Sequence, residues 1–146
     1  MTAVTDILKS KTDPSVHTIA PTASVLDALR LMAEKGIGAL LVTEGEAIVG
    51  IVTERDYARK IALLGRTSAA TLVRDVMTSS VMFVSSTETS EHCMALMTEN
   101  RLRHLPVVDA GKLVGLISIG DLVKDIISAQ KFVIEQLEHY ITGQRG

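Results

Sequence analysis

The stretch Gly50-Ile51-Val52-Thr53-Glu54-Arg55-Asp56 returns sixty-five positions later as Gly115-Leu116-Ile117-Ser118-Ile119-Gly120-Asp121. The echo extends without a gap from residues 19–64 onto 84–129, where about ten of 46 positions are identical, including Thr22/Thr87, Leu31/Leu96, Met32/Met97, Leu40/Leu105, Val42/Val107, Gly50/Gly115 and Asp56/Asp121. Most other apolar positions pair conservatively. An ungapped match of that length points to tandem duplication, so whatever unit the first half specifies must form twice.

Each copy reads as β-α-β-β-α. In the first, Ser24 with Asp27 makes a helix N-cap signature, Val25, Ala28, Leu29 and Met32 recur at helical spacing, and Gly36 stops the run. Ala39 to Thr43 and Ile48 to Val52 form a hairpin around Glu44-Gly45-Glu46-Ala47. Both strands are nearly continuous in apolar residues, which predicts burial on two faces. A helix over Asp56 to Leu64 comes next, with Tyr57, Ile61 and Leu64 on one side and Gly65 at its end. Residues 1–18 read as a lead-in arm with a turn at Pro14, and Asp6-Ile7-Leu8 rhymes with Asp75-Val76-Met77 ahead of the second copy. The expected division is 1–66 for the first repeat with its lead-in, 67–73 for a linker, 74–129 for the second repeat and 130–146 for a C-terminal helix extension. Along that extension Leu122, Ile126, Val133, Leu137 and Tyr140 or Ile141 keep an apolar stripe, while Lys131, Glu135 and Glu138 face elsewhere. The stripe fits either packing on its own domain or a dimer contact.

Thr53-x-x-Asp56 and Ser118-x-x-Asp121 each place a hydroxyl at an N-cap and a carboxylate at the third helical position. As a bare capping box the motif is worth about 1 kcal/mol. The N–H groups of such a first turn are expected to point outward and attract anions, phosphates above all. A single repeat cannot cover both faces of its sheet, so the two are expected to pack sheet to sheet about a pseudo-two-fold axis.

Composition narrows the function. Fifteen Lys plus Arg against seventeen Asp plus Glu leave a net charge of -2, and aromatic residues are only 3% of the chain; neither a polyanion footprint nor a stacking surface for nucleic acid is present. No apolar run reaches the roughly 18 residues of a membrane span, and the expectation is a soluble, cytoplasmic protein. Cys93 lies in a helical pattern and reads as a small core hydrophobe in a reducing compartment. His17, His92 and His139 lack metal-ligand spacing, and there is no nucleophile elbow, Walker motif or dinucleotide fingerprint. No metal requirement and no catalytic residue is expected.

The paired Gly-apolar-apolar-Thr/Ser-x-x-Asp motifs, with Arg103-His104-Leu105-Pro106-Val107-Val108-Asp109 ahead of the second, resemble a tandem pair of cystathionine-β-synthase (CBS) domains, a Bateman module, over roughly residues 5–129. The resemblance implies an α/β fold of two pseudo-symmetric β-α-β-β-α CBS repeats and a sensor for adenosine compounds (AMP, ADP or ATP foremost, NAD or S-adenosylmethionine as well) held in clefts between the repeats. It implies that Asp56 and Asp121 accept hydrogen bonds from ribose hydroxyls, which suits an ionised carboxylate facing a vicinal diol. Thr53 and Ser118 would contact phosphate or ribose. Adenine would lie against Ile37, Gly38 and Ala39 in one site and Leu102, Arg103 and His104 in the other, with lead-in residues Thr12, His17 and Thr18 closing the first and Thr78, Met82 and Phe83 the second. Arg103, His104 and Arg55 are expected to share the phosphates. The implied protein is a homodimer that transmits ligand binding to an unidentified effector protein; the alternative is a constitutive dimerisation or protein-interaction module with degenerate clefts.

Overall fold

The computed structural model describes residues 2–11 and 15–142. They form two compact units, and neither follows the sequence repeats from end to end.

The first unit is Ser15–Met82. Strand β1 (Thr18–Ile19) pairs in parallel with β2 (Ala39–Glu44), which pairs antiparallel with β3 (Ala47–Thr53), giving the order β1-β2-β3. Helix α2 (Val25–Lys35) starts where Ser24 accepts a hydrogen bond from the Asp27 N–H at 3.0 Å and stops at Gly36, whose φ of 66° is the left-handed cap that glycine adopts without strain. Leu40, Leu41 and Val42 are consecutive and fully buried, so β2 is covered on both faces as its composition requires. β3 is not: as the outer strand it alternates, with Gly50 and Val52 buried and their neighbours half-exposed. Val25, Ala28 and Met32 of α2 pack on Leu40, Val42 and Val52 together with Ile61, Val73 and Val76.

The helix expected over Asp56 to Leu64 is wider than an α-helix. Helix α3 (Glu54–Asp56) passes directly into a π-helical turn, Tyr57–Ala62, closed by bonds from Leu63 N–H to the Ala58 carbonyl and from Arg66 N–H to that of Ile61. The extra residue per turn shifts the facing of the residues after it, so Ile61 stays buried while Leu64, expected beside it, is exposed.

The second unit combines residues 2–11 with 83–142. Helix α1 (Val4–Ser10) occupies what read as an irregular arm. Helix α4 (Ser90–Asn100) is capped by Thr89, and its end at Arg101 takes a left-handed φ of 54°, with arginine where the first repeat has Gly36. Strands β4 (His104–Asp109) and β5 (Lys112–Ser118) make the hairpin, Val84 bridges to Val107 in the place of β1, and α5 (Ile119–Thr142) runs unbroken for 24 residues. Val4, Ile7, Cys93, Met97, Leu105, Val107, Ile117 and Leu122 form its core.

The lead-ins are therefore exchanged, which differs from the boundaries 1–66 and 74–129. Val4 and Thr5 N–H groups donate to the Glu88 and Ser86 carbonyls, and Leu8 lies against Gly115. In the first unit, Thr78 exchanges two backbone bonds with Ile51, and Met77 lies against Gly50. The stretch 67–73 is no free linker: Ser68 and Thr71 carbonyls accept from Leu26 and Val25 at the start of α2, and Val73 is fully buried. Asp6-Ile7-Leu8 and Asp75-Val76-Met77 have the same chemistry, so each can cover either hairpin, and the glycines at 50 and 115 leave room for the covering side chain.

Candidate functional site

In the first unit, Thr53 and Asp56 form a reciprocal capping box. The Asp56 N–H donates to Thr53 Oγ1 at 3.2 Å, and Asp56 Oδ2 accepts from the Thr53 N–H at 2.9 Å. Lys60, one turn on, sets its ammonium 3.3 Å from Asp56 Oδ1 and donates to the Val76 carbonyl at 2.7 Å. The second unit repeats the arrangement with Ser118 and Asp121: Asp121 Oδ2 accepts the Ser118 N–H at 2.9 Å, and an ammonium stands 3.2 Å away. That ammonium belongs to Lys11, which also donates to the Leu116 carbonyl at 2.8 Å. Position 125, which corresponds to Lys60, is an aspartate, so the same charge arrives from a different part of the chain. The two carboxylate side chains are only 14% and 15% exposed, and a neighbouring cation offsets the cost of burying each charge.

The helix starts are less open than the sequence suggested. Glu54 N–H donates to the Gly38 carbonyl at 3.1 Å and Ile119 N–H to that of Arg103 at 2.8 Å, so the first N–H of each turn is already bonded and the third serves the cap. The same bonds bring Gly38 and Ala39 to Thr53 and Asp56, and Arg103 and His104 to Ser118 and Asp121; Ala39 stands opposite Thr53, and His104 opposite Ser118, in the hairpin registers. Ile37 and Leu102 pack at the edges of their cores. The His17 carbonyl accepts from Leu41 N–H, and Thr18 is paired with Leu41.

Other expected residues fall differently. Thr78 and Met82 belong to the first unit, with Thr78 bonded to Ile51 two residues before Thr53, and only Phe83 of that trio lies in the second. The exchange of lead-ins is the cause. Arg55 is exposed on α3 of the first unit, whereas Arg103 and His104 are in the second. Thr12 lies outside the described residues.

His104 is half-buried, and burial pushes its imidazole below the ordinary value of 6.5, against the pull of Asp121 and with the push of Lys11 and Arg103. It is a neutral donor or acceptor at neutral pH. Beside Asp121, a cleft of about 500 Å³ runs between α1 and the first turns of α5, lined in part by Asp6, Ser10, Lys11, Lys124 and Asp125. That volume is of the order that holds a small ligand. Of the described residues expected from the sequence, only Asp121 lines it. Lys60 was legible as an i, i+4 partner of Asp56; Lys11 carried no local signal. Among the described residues no group of three or more His, Cys, Asp or Glu is placed to hold a metal ion, and no helix is long and apolar enough to cross a membrane.

The family model for the CBS domain matches residues 4–63 and again 73–128. The chain belongs to the CBS-domain family. A CBS-domain protein of Burkholderia ambifaria MC40-6, described as one of signal transduction, superposes with a TM-score of 0.86 at 57% identity, covering 88% of this chain and 96% of that one. The mitochondrial CBS-domain protein CBSX3 of Arabidopsis thaliana is 37% identical over 97% of this chain and 73% of its own length. The CBS domain pair of MJ0100, solved in complex with 5′-methylthioadenosine and S-adenosyl-L-methionine, shares the fold with a TM-score of 0.75 at 24% identity, over 86% of this CBS pair and 99% of that one.

Proposed function

We propose that this CBS pair is a regulatory module that binds adenosine compounds, AMP, ADP or ATP foremost and NAD or S-adenosylmethionine as further candidates, and that binding alters its affinity for an effector protein. The reading has no catalytic step, and the working form is a homodimer. Its main support is the duplicated carboxylate. Asp56 and Asp121 are each shielded, fixed by their own strand N–H, and set beside the hairpin backbone at Gly38-Ala39 or Arg103-His104. A ribose diol donates two charge-assisted hydrogen bonds to such a group, while the hairpin backbone and apolar edge residues Ile37 and Leu102 offer adenine its contacts. The two positions are not equivalent. Both oxygens of Asp56 are engaged by Thr53 and Lys60, whereas Asp121 uses Oδ2 alone among the described residues. Asp121, with Arg103 and His104 beside it, is the better site for a phosphorylated ligand, and at Asp56 the Lys60 ammonium must turn away from the carboxylate or toward a phosphate.

A thermal-shift panel of these compounds tests the reading. A ligand at a hundred times its dissociation constant stabilises by about 2.7 kcal/mol, worth roughly 5–10 °C in a chain of this size. Asp56→Asn and Asp121→Asn, which keep an acceptor for the cap, are each expected to remove one binding event; alanine would also lose the cap. If no adenosine compound shifts the melting temperature, the module is one of constitutive interaction instead.

A further inference from the structure

The cleft of about 500 Å³ between α1 and the first turns of α5 carries more charge than the capping box beside it uses. Asp121, Lys124 and Asp125 recur at i, i+3 and i+4, so one face of α5 forms one wall, and Asp6 and Lys11 stand on the α1 side. Lys11 and Asp121 satisfy each other at 3.2 Å. That leaves Asp6, Lys124 and Asp125. Among the described residues none of these three side chains has a hydrogen-bond or ion-pair partner, although they line the same space. Asp125 is half-buried, and a carboxylate drawn from water without a partner is costly.

We propose that this cleft binds a free α-amino acid with a short polar side chain, its ammonium between Asp6 and Asp125 and its carboxylate on Lys124. Charge decides the class. A phosphate or other simple anion would meet two unpartnered carboxylates and a single unpartnered ammonium. A simple cation would satisfy the carboxylates but set its own charge beside Lys124. A metal ion has no hold, because among the described residues no three His, Cys, Asp or Glu are placed to share one. A neutral molecule would leave charges of both signs unmet. A zwitterion meets both, each end through a charge-assisted hydrogen bond. Ile7 is the one apolar residue among the described residues lining the cleft, which favours a short polar side chain on the ligand over an aliphatic or aromatic one. Neither Arg103 nor His104 lines the cleft, so the inference goes beyond the nucleotide reading and stands without it.

Calorimetric titration of the full chain with L-serine, L-asparagine and L-glutamine is the test. Each is run beside its N-acetyl derivative, which lacks the ammonium, and its amide, which lacks the carboxylate. At least one of the three is expected to bind at one site per chain, with both blocked forms weaker by about tenfold or more. Asp125→Asn is expected to shrink the preference over the N-acetyl form, and Lys124→Gln the preference over the amide, each with unchanged circular dichroism. A structural role alone would weaken the amino acid and both blocked forms alike, and that result would overturn the proposal. So would the absence of binding by all three amino acids. An amide that binds as well as its parent would make the cleft a cation site, and an N-acetyl form or inorganic phosphate that does so would make it an anion site; either outcome overturns the assignment.

Discussion

The exchanged lead-ins can be tested at the two glycines they cover. A methyl group at Gly115 would stand 2.7 Å from Leu8 Cδ2 and 3.0 Å from Cδ1, the far end of a flexible side chain. At Gly50 it would meet Met77 Sδ at 2.6 Å, Met77 Cγ at 2.9 Å and the Thr78 carbonyl oxygen at 3.0 Å. That carbonyl accepts the Ile51 N–H at 3.0 Å while the Thr78 N–H donates back at 2.9 Å, so it cannot withdraw without loosening both bonds. Neither glycine has positive φ, and alanine at either gains about 0.4–1 kcal/mol from the restricted unfolded chain. For Gly115→Ala this roughly offsets a rotamer change in Leu8. For Gly50→Ala the overpacking cost of about 1–3 kcal/mol dominates. The expected outcome in urea titrations is a net loss of about 1–2 kcal/mol for Gly50→Ala and a change within about 0.5 kcal/mol for Gly115→Ala. Measured against Met77→Ala alone, Gly50→Ala should still cost stability, because the Thr78 carbonyl remains. Equal losses at both glycines, or a greater loss at Gly115, would refute the reasoning.

Arg101→Gly relieves a left-handed cap occupied by a side chain and is expected to raise the melting temperature by about 2–4 °C, from about 1 kcal/mol. Cys93 is fully buried, and burial, with Glu88 nearby, pushes its thiol up to about 11; Ellman's reagent at pH 8 should fail to label the folded protein and label it promptly in urea. His104 binds its proton less tightly folded than unfolded, so its contribution is complete above the ordinary value of 6.5 and is lost as pH falls below it. Urea midpoints should therefore fall on acidification below about pH 6.5, and His104→Gln should make that slope shallower.

Much of this architecture was legible in the chain. The Ser24 and Gly36 caps, the two hairpins and the hydroxyl-x-x-Asp boxes are all local devices, set by residues within four positions of each other, and duplication marked them twice. Partners distant in sequence were less visible. Asp6-Ile7-Leu8 and Asp75-Val76-Met77 are chemically alike, so nothing in either says which hairpin it covers, and that Thr78 and Met82 fall in the first unit while Phe83 falls in the second stems from that. Lys11 reaches Asp121 only because α1 docks on the second hairpin. The π-helical turn after Asp56 has no composition signal, and it turned Leu64 outward. The outward stripe of α5 was readable as apolar, but whether its own domain covered it required the packing.

Asp56 and Asp121 are proposed to hold a ribose through its two hydroxyls, and the function of the module depends on that grip. The most direct measurement is calorimetric titration of the protein with whichever adenosine nucleotide gives the largest thermal shift, alongside its 2′,3′-dideoxy counterpart. Loss of hydrogen bonds to a charged group, about 1.5–3 kcal/mol each, is expected to weaken the dideoxy compound at least tenfold, and Asp121→Asn should bring the two affinities together at the second-repeat site. Equal affinity of the wild type for both compounds would contradict ribose recognition by these carboxylates.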